Sequence, residues 1–232
     1  MAVLKKEISS YFKSPLAYVF LGVFYLFSGI FFYTALYNGI ADIDYIFAQM
    51  FIFILILIPL LTMKMLSEEK RSKTDQALLC APVSLKSIIL AKFLAAYFVY
   101  FIGTLINIIF GIILNIYTKI NWTSILANYL GMLLLGGAII AIGLFVSALT
   151  ESQAISAVCT YGAVIFLILL DSLVANITLI PLKQVVSWIS LNARYNPFTS
   201  GIVDYSNILY FLSLMAIFIF LSIKAWDKRR WN

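Results

Sequence analysis

The chain has 232 residues, of which 63% are hydrophobic and 11% are charged, and its mean hydropathy is +1.03. Globular domains carry about a quarter charged residues, so the composition excludes a water-soluble domain and predicts an all-α polytopic membrane protein. The formal net charge of +6 comes from basic residues at the ends of apolar runs. That placement is typical of membrane insertion and lipid contact, and we expect no nucleic-acid partner.

The sequence is poor in residues that carry chemistry. It has no histidine and two cysteines, Cys80 and Cys159, so we expect no zinc or other metal site, no histidine-based triad and no disulfide framework. No G-x-x-x-x-G-K-[ST] pattern occurs, so we predict no ATP-binding P-loop in this chain. We therefore predict a protein that is not an enzyme and that has no catalytic residues or cofactor of its own.

Residues 1–14 predict an amphipathic helix that lies on the membrane surface. The apolar residues recur at helical spacing, while the lysines fall on the other faces. The apolar set is Leu4, Ile8, Tyr11 and Phe12. The alternative is a frayed basic terminus that only orients the first span. The apolar run that follows is too long for the core of a signal peptide, so no cleavable signal is expected.

Six later segments are apolar and long enough to cross a bilayer, which takes about 20 helical residues. We predict spans at residues 15–37, 45–66, 87–117, 124–149, 153–171 and 206–226. Ser14-Pro15 predicts an N-cap and first helical residue for the first span. A short acidic loop with Asp42 and Asp44 is expected before the second span, in which Pro59 predicts a kink.

The distribution of lysine and arginine predicts the orientation of the spans. With the N-terminus in the cytoplasm, 13 of the 16 basic residues lie on the inner side, which places both termini in the cytoplasm. The three on the outer side are Lys119, Lys183 and Arg194.

Residues 67–86 form a charged cytoplasmic loop between the second and third spans. Ser72 with Asp75 three residues later resembles a capping box, Ala77-Leu78-Leu79 follow it, and Pro82 prevents helical geometry in the residue before it. The pattern predicts a short helix with exposed leucines that docks a partner. The alternative is an ordinary loop whose basic residues only set the topology.

Residues 172–205 form an outer segment. Apolar residues at helical spacing predict one short surface helix, ended by Asn196-Pro197, that acts as a lid or as a cover for the helix ends. They are Leu182, Val185, Val186 and Ile189.

Polar and small residues inside the spans have two interpretations. Asn107 and Asn115 follow one face of the third span together with Gly103 and Gly111, which predicts either a packing seam or a polar strip on a substrate path. Small residues in the fourth span predict tight helix packing, either within the chain or across a dimer. Asp171 falls at the outer boundary of the fifth span, which disfavours an ion-binding role.

Three stretches resemble the type-2 ABC-exporter permease family, in the branch of gliding-motility and nitrous-oxide-reductase-maturation permeases. They are LKKEISSYFKSPLAY (4–18), EEKRSKTDQALLCAPVS (68–84) leading into Lys92, and NPFTSGIVD (196–204) with the closing residues 229–231. The resemblance implies six spans, an N-terminal interface helix and a coupling helix after the second span. It also implies two permease units and two separate ATPase subunits, which bind the ATP and Mg²⁺.

The resemblance assigns ATPase coupling to six residues that match the family's pattern. They are Glu68, Glu69, Thr74, Leu78, Leu79 and Pro82. Lys73 replaces a usual glycine, and Gln76 stands where an acid is common, which puts in doubt any salt bridge at position 76.

Together, these observations predict one permease domain over residues 1–232, the membrane subunit of an ATP-driven exporter in the plasma membrane. Its expected partners are cytoplasmic ATPase subunits, a second permease subunit of the same or a different sequence, and membrane lipid. The alternatives are a secondary carrier or channel, and a membrane assembly or anchoring protein that does not transport. The residues specify no substrate.

Overall fold

The structure, a computed structural model, describes residues 2–38, 43–74, 84–117, 122–176 and 190–230. Over these ranges the regular elements are all helices. They are α1 (Ala2–Lys13), α2 (Pro15–Tyr37), α3 (Ile43–Thr62), α4 (Ser67–Arg71), α5 (Leu85–Tyr117), α6 (Trp122–Leu149), α7 (Gln153–Asn176), α8 (Leu191–Thr199) and α9 (Tyr205–Arg230).

Among the described residues, five helical stretches are long and apolar enough to cross a membrane. They are Pro15–Tyr37, Asp44–Arg71, Leu85–Ile116, Trp122–Leu149 and Tyr205–Lys228. The multi-pass membrane class is therefore confirmed. The predicted fifth span lies in α7, whose apolar part Gln153–Leu169 is shorter than the others. A total of six spans stays a prediction.

The first two helices follow the sequence pattern closely. α1 covers almost the whole of the predicted segment 1–14 and packs against α2 and α5. Ser14 has an extended backbone, and its hydroxyl oxygen accepts a hydrogen bond from the Leu16 N–H at 3.3 Å. The predicted cap of the first span is therefore confirmed, with Pro15 as the first helical residue. The position of α1 on the membrane surface stays a prediction.

The second span differs from its prediction at both ends. Asp44 lies in the first turn of α3 and not in a loop. At the other end α3 stops at Thr62, and a turn over residues 63–66 leads into α4. This turn allows α4 to bond to α6, as described below. The helix of the second span therefore ends at residue 62, before the end of the predicted span 45–66, and α4 occupies the start of the predicted loop 67–86.

α6 lies at the centre of the bundle and packs against α3, α5, α7, α8 and α9. Its glycines are the points of close approach. A Cβ atom at Gly136 would lie 2.2 Å from the ring of Tyr100, and one at Gly143 would lie 2.2 Å from the Thr62 hydroxyl. The small residues of this span therefore serve packing within the chain.

α8 contains Asn196-Pro197, the pair expected to end the predicted surface helix, and continues through Pro197 to Thr199. Gly201 has a φ of 73°, and the N–H groups of Gly201 and Ile202 donate to the carbonyls of Phe198 and Pro197. These are the two bonds of a Schellman motif, which glycine permits. The predicted surface helix over 182–189 lies outside the described residues.

Candidate functional site

A buried ion network joins three helices, one of which is α4. The Lys92 ammonium on α5 lies 3.1 Å from a Glu7 oxygen on α1 and 2.6 Å from a Glu69 oxygen on α4. Lys92 is 4% exposed and Glu7 is 9% exposed. A buried ammonium requires such partners because an uncompensated charge in the interior is costly. One lysine thus ties the N-terminal helix to the segment that follows α3.

Sequence analysis missed the network because its members are distant in the chain and unremarkable one by one. Glu7 lies three residues after Leu4 and four before Tyr11, so it shares the apolar face of α1 that packs on α5. In the sequence, Lys92 counts toward the topology and follows the second family-like stretch, and neither observation predicts an ion pair. Two features of the sequence could have indicated the network: Glu7 is an acid on the apolar face of a helix, and Lys92 is a lysine well inside an apolar run.

A cavity of about 660 Å³ opens next to this network. Residues of α1, α2, α4, α5 and the turn after α3 line it. They are Lys6, Glu7, Ser10, Tyr11, Ser14, Leu16, Lys64, Met65, Glu68, Glu69, Ser72, Thr74 and Lys92. Burial raises the pKa of the Tyr11 hydroxyl well above its ordinary value, and the carboxylates of Glu7, Glu69 and Glu68 raise it further. Tyr11 therefore remains a neutral hydrogen-bonding group.

α4 is also bonded to the end of the central helix. The Ser147 hydroxyl oxygen on α6 accepts hydrogen bonds from the N–H groups of Leu66 at 2.9 Å and Ser67 at 3.0 Å. The buried Lys70 ammonium donates to the Ala148 carbonyl in the last turn of α6, where a cation is favoured by the helix dipole. These bonds satisfy the first N–H groups of α4, which have no partner within the helix.

The predicted coupling residues fall into two groups. Glu69 belongs to the ion network, Glu68 is exposed on α4, and Thr74 is exposed just beyond α4. The Thr74 hydroxyl lies 2.9 Å from that of Ser72. The other three predicted residues, Leu78, Leu79 and Pro82, lie outside the described residues.

Ser72 ends α4, and its hydroxyl donates to the Glu68 carbonyl at 2.8 Å. Asp75, the expected partner of Ser72 in a capping box, lies outside the described residues, so the capping box and the helix after it stay predictions. Lys73 follows with a φ of 56°, a left-handed conformation that costs a non-glycine residue roughly 1–2 kcal/mol. This is the position at which the resemblance expects glycine, and the backbone supplies the physical reason.

The two asparagines of the third span do not line the cavity. Asn107 is 1% exposed and accepts a 2.5 Å hydrogen bond from Ser28 on α2, while its amide points at the Met132 sulfur on α6, 3.7 Å away. It thus joins three helices, which favours the packing interpretation over a substrate path. Asn115 is half-buried, two turns further along α5.

A second polar cluster lies at the opposite end of α6, near α8. A carboxylate oxygen of Asp44 accepts hydrogen bonds from the Asn128 amide at 2.6 Å and the Ser124 hydroxyl at 2.9 Å. This cluster joins the start of α3 to the start of α6. It was not expected, because Asp44 had been assigned to a loop.

Comparison with known families supplies one match. The profile of a family described as ABC-2 family transporter protein matches residues 38–231. The matched part includes Glu69, Lys92 and all of α6, whereas Glu7 and α1 precede it. None of the curated proteins compared with the chain matches it.

Proposed function

This chain belongs to the ABC-2 family of transporter proteins, and we propose that it is the permease subunit of an exporter driven by separate ATPase subunits. The observation that carries the proposal is the anchoring of α4. This short helix presents Glu68 outward while Glu69, Lys70 and the N–H groups of Leu66 and Ser67 bond to other helices. Such a segment suits the transfer of force from a docked partner.

The contacts around α4 supply a physical route for coupling, which needs an element that both sites can displace. Ser147 and Ala148 link α4 to α6, the helix against which most of the bundle packs. Lys92 links it to α5 and, through Glu7, to α1. A displacement of the loop after α4 can therefore be transmitted to α6, α5 and α1 through direct contacts between residues.

The proposal includes the finer assignments that the resemblance implies. The α4 end of the bundle faces the cytoplasm with both termini, in the plasma membrane. ATP and Mg²⁺ bind the ATPase subunits, and a second permease subunit completes the transporter. Glu68, Glu69, Thr74, Leu78, Leu79 and Pro82 form the coupling segment, with Leu78 and Leu79 as the apolar contact for the ATPase.

The coupling assignment is tested by changing Leu78 and Leu79 together to Asp in the complete transporter. Unpaired charge in an apolar contact costs several kcal/mol, so the ATPase should fail to copurify or should hydrolyse ATP without transport. The matched control changes Ile202 and Val203 to Asp. These are exposed apolar residues between α8 and α9, at the other end of the bundle, and ATPase association should survive their change.

Wild-type association and transport in the Leu78/Leu79 variant would overturn the coupling assignment. Transport by the lone chain in liposomes, without any ATPase, would instead favour a secondary carrier or channel. A stable ATPase complex that moves nothing would favour an assembly role.

The orientation is tested by single cysteines in a background without Cys80 and Cys159. Asn38 and Ser72 are both exposed; Asn38 lies before the α3–α4 segment and Ser72 directly after it. A cysteine at position 38 should react with an impermeant maleimide in intact cells, and one at position 72 should react only after lysis. Labelling of position 72 in intact cells would reverse the orientation.

A further inference from the structure

The cavity beside α4 contains two lysines, Lys6 and Lys64, to which the coupling role assigns no part. Its buried network holds two carboxylates and one ammonium, a net charge of −1. Lys6, Lys64 and Glu68 also line the cavity, and none of them forms an ion pair with another described residue. With these three, the cavity as a whole is neutral but presents two free cations and one free carboxylate to an occupant.

The cavity lies at the ends of two spans, which is the level expected for the lipid head groups. Ser14 and Leu16 mark the point where the first apolar span begins, and Lys64 and Met65 follow directly after the end of α3. α1, which forms another wall, is the amphipathic helix whose pattern is typical of the membrane interface. The cavity is therefore lined by both charged and apolar residues. A lipid needs both, because its head group is charged and the glycerol region below it adjoins the apolar chains.

The volume and the charges together select a class of ligand. About 660 Å³ is within the range of about 300–1,000 Å³ found for small-molecule sites. We propose that the cavity binds the head group of a phosphatidylethanolamine lipid, with its phosphate at Lys6 and Lys64 and its ammonium at Glu68. A purely anionic head group leaves Glu68 without a partner, and a choline head group has no N–H to donate to the carboxylate.

The lipid is expected to hold α1 and α4 together around the Lys92 network, because its two charged groups meet residues from both helices. This inference does not depend on the exporter assignment. Its test uses neither ATP nor transport, so the two proposals can fail separately.

The test measures lipid dissociation constants of the full chain in detergent by native mass spectrometry. Dioleoyl phosphatidylethanolamine should bind about fivefold more tightly than the phosphatidylcholine or phosphatidylglycerol with the same acyl chains, the effect of one charged contact near the bilayer surface. Changing Lys6 and Lys64 together to Gln should weaken all three lipids at least fivefold. Glu68→Gln should abolish only the preference for ethanolamine.

Lys86→Gln is the matched control, because Lys86 is exposed on α5 and does not line the cavity; it should leave all three constants unchanged. The altered side chains form no ion pair with any residue that the structure describes, so each variant should keep the wild-type unfolding temperature in lipid-free detergent.

Four outcomes would overturn the proposal. Equal affinity for the three lipids would exclude recognition of the ammonium. Wild-type ethanolamine-lipid binding in both cavity variants would place the lipid elsewhere. Displacement of the lipid by equimolar glycerophosphoethanolamine would assign the cavity to a soluble zwitterion. Loss of ATPase copurification in the Lys6/Lys64 variant, with unchanged lipid binding, would assign it to the partner protein.

Discussion

α6 and α9 are similar in length and in the hydropathy of their most apolar windows, yet they differ greatly in how much of each is buried. Their most apolar windows have mean hydropathies of 2.5 and 2.2, but 72% of that window is buried in α6 and 11% in α9. Both are apolar enough to enter a membrane. Apolar character therefore places a helix in the bilayer, and some other property decides whether protein or lipid surrounds it.

That property is the size of the side chains. α6 has glycines at 131, 136, 137 and 143, and at each of them an added Cβ would lie within 3.0 Å of a side chain from another helix. α9 contains no glycine, and its large residues project outward, with Leu209 65% exposed and Phe220 57% exposed. In lipid, where apolar burial gives little net gain, close packing is what brings helices together.

Among the contacts made with α6, the largest expected effect comes from filling the close approach between Gly136 and Tyr100. Gly136→Leu places a branched side chain where the Tyr100 ring already lies, and overpacking of this severity should destabilise the fold by about 3 kcal/mol or more. The purified variant should show a lower unfolding temperature in detergent or should aggregate.

Ala216→Leu on α9 is its counterpart, since Ala216 is exposed and the larger side chain meets lipid or detergent. Its unfolding temperature should match that of the wild type. Equal destabilisation of the two variants would contradict the difference between the helices.

A smaller effect is expected from a polar contact at the end of α6. Ser147→Ala leaves the N–H groups of Leu66 and Ser67 without their acceptor, which should cost about 1–3 kcal/mol. Ser213→Ala on α9 is the control, because the Ser213 hydroxyl is exposed and bonds only to the Tyr210 carbonyl of its own helix. Thermal unfolding of both variants gives the comparison, and a loss no larger for Ser147 than for Ser213 would show that α4 is held by other contacts.

The smallest of these effects concerns Asn107, which reaches α6 through Met132. Asn107→Ala should lower stability by about 1 kcal/mol and leave transport detectable, as expected for one interhelical hydrogen bond in a membrane. Asn115→Ala tests the half-buried end of the same face and should cost no more. Full stability combined with altered substrate selection in either variant would assign the strip to the substrate path.

A Lys92→Met variant tests how much the buried ion network contributes to stability, for comparison with the glycine contacts of α6. It removes the ammonium that pairs with both Glu7 and Glu69, and loss of one partner from a buried ion network costs roughly 3–5 kcal/mol. The triple variant with Glu7→Gln and Glu69→Gln removes all three charges and should recover part of the stability. No recovery would mean that Lys92 acts by shape and not by charge.

Much of the helical framework was predictable because it depends on local chemistry. Ser14-Pro15 caps α2 where predicted, and α6 ends at residue 149 as expected. Apolar runs and capping residues act over short distances in the chain, so the local sequence is enough to predict these helix ends. The break after Thr62 was missed because the bonds that hold α4 come from Ser147, about eighty residues later.

The sequence by itself determined that this protein crosses a membrane several times and carries its charges at the ends of the spans, because transfer of side chains into lipid is a property of each segment alone. Only the tertiary structure decided that Glu7, Glu69 and Lys92 meet, that Asp44 bonds to Asn128, and that α6 takes the centre. Those outcomes depend on which helix faces come into contact, and contact between distant residues is decided by packing over the whole bundle.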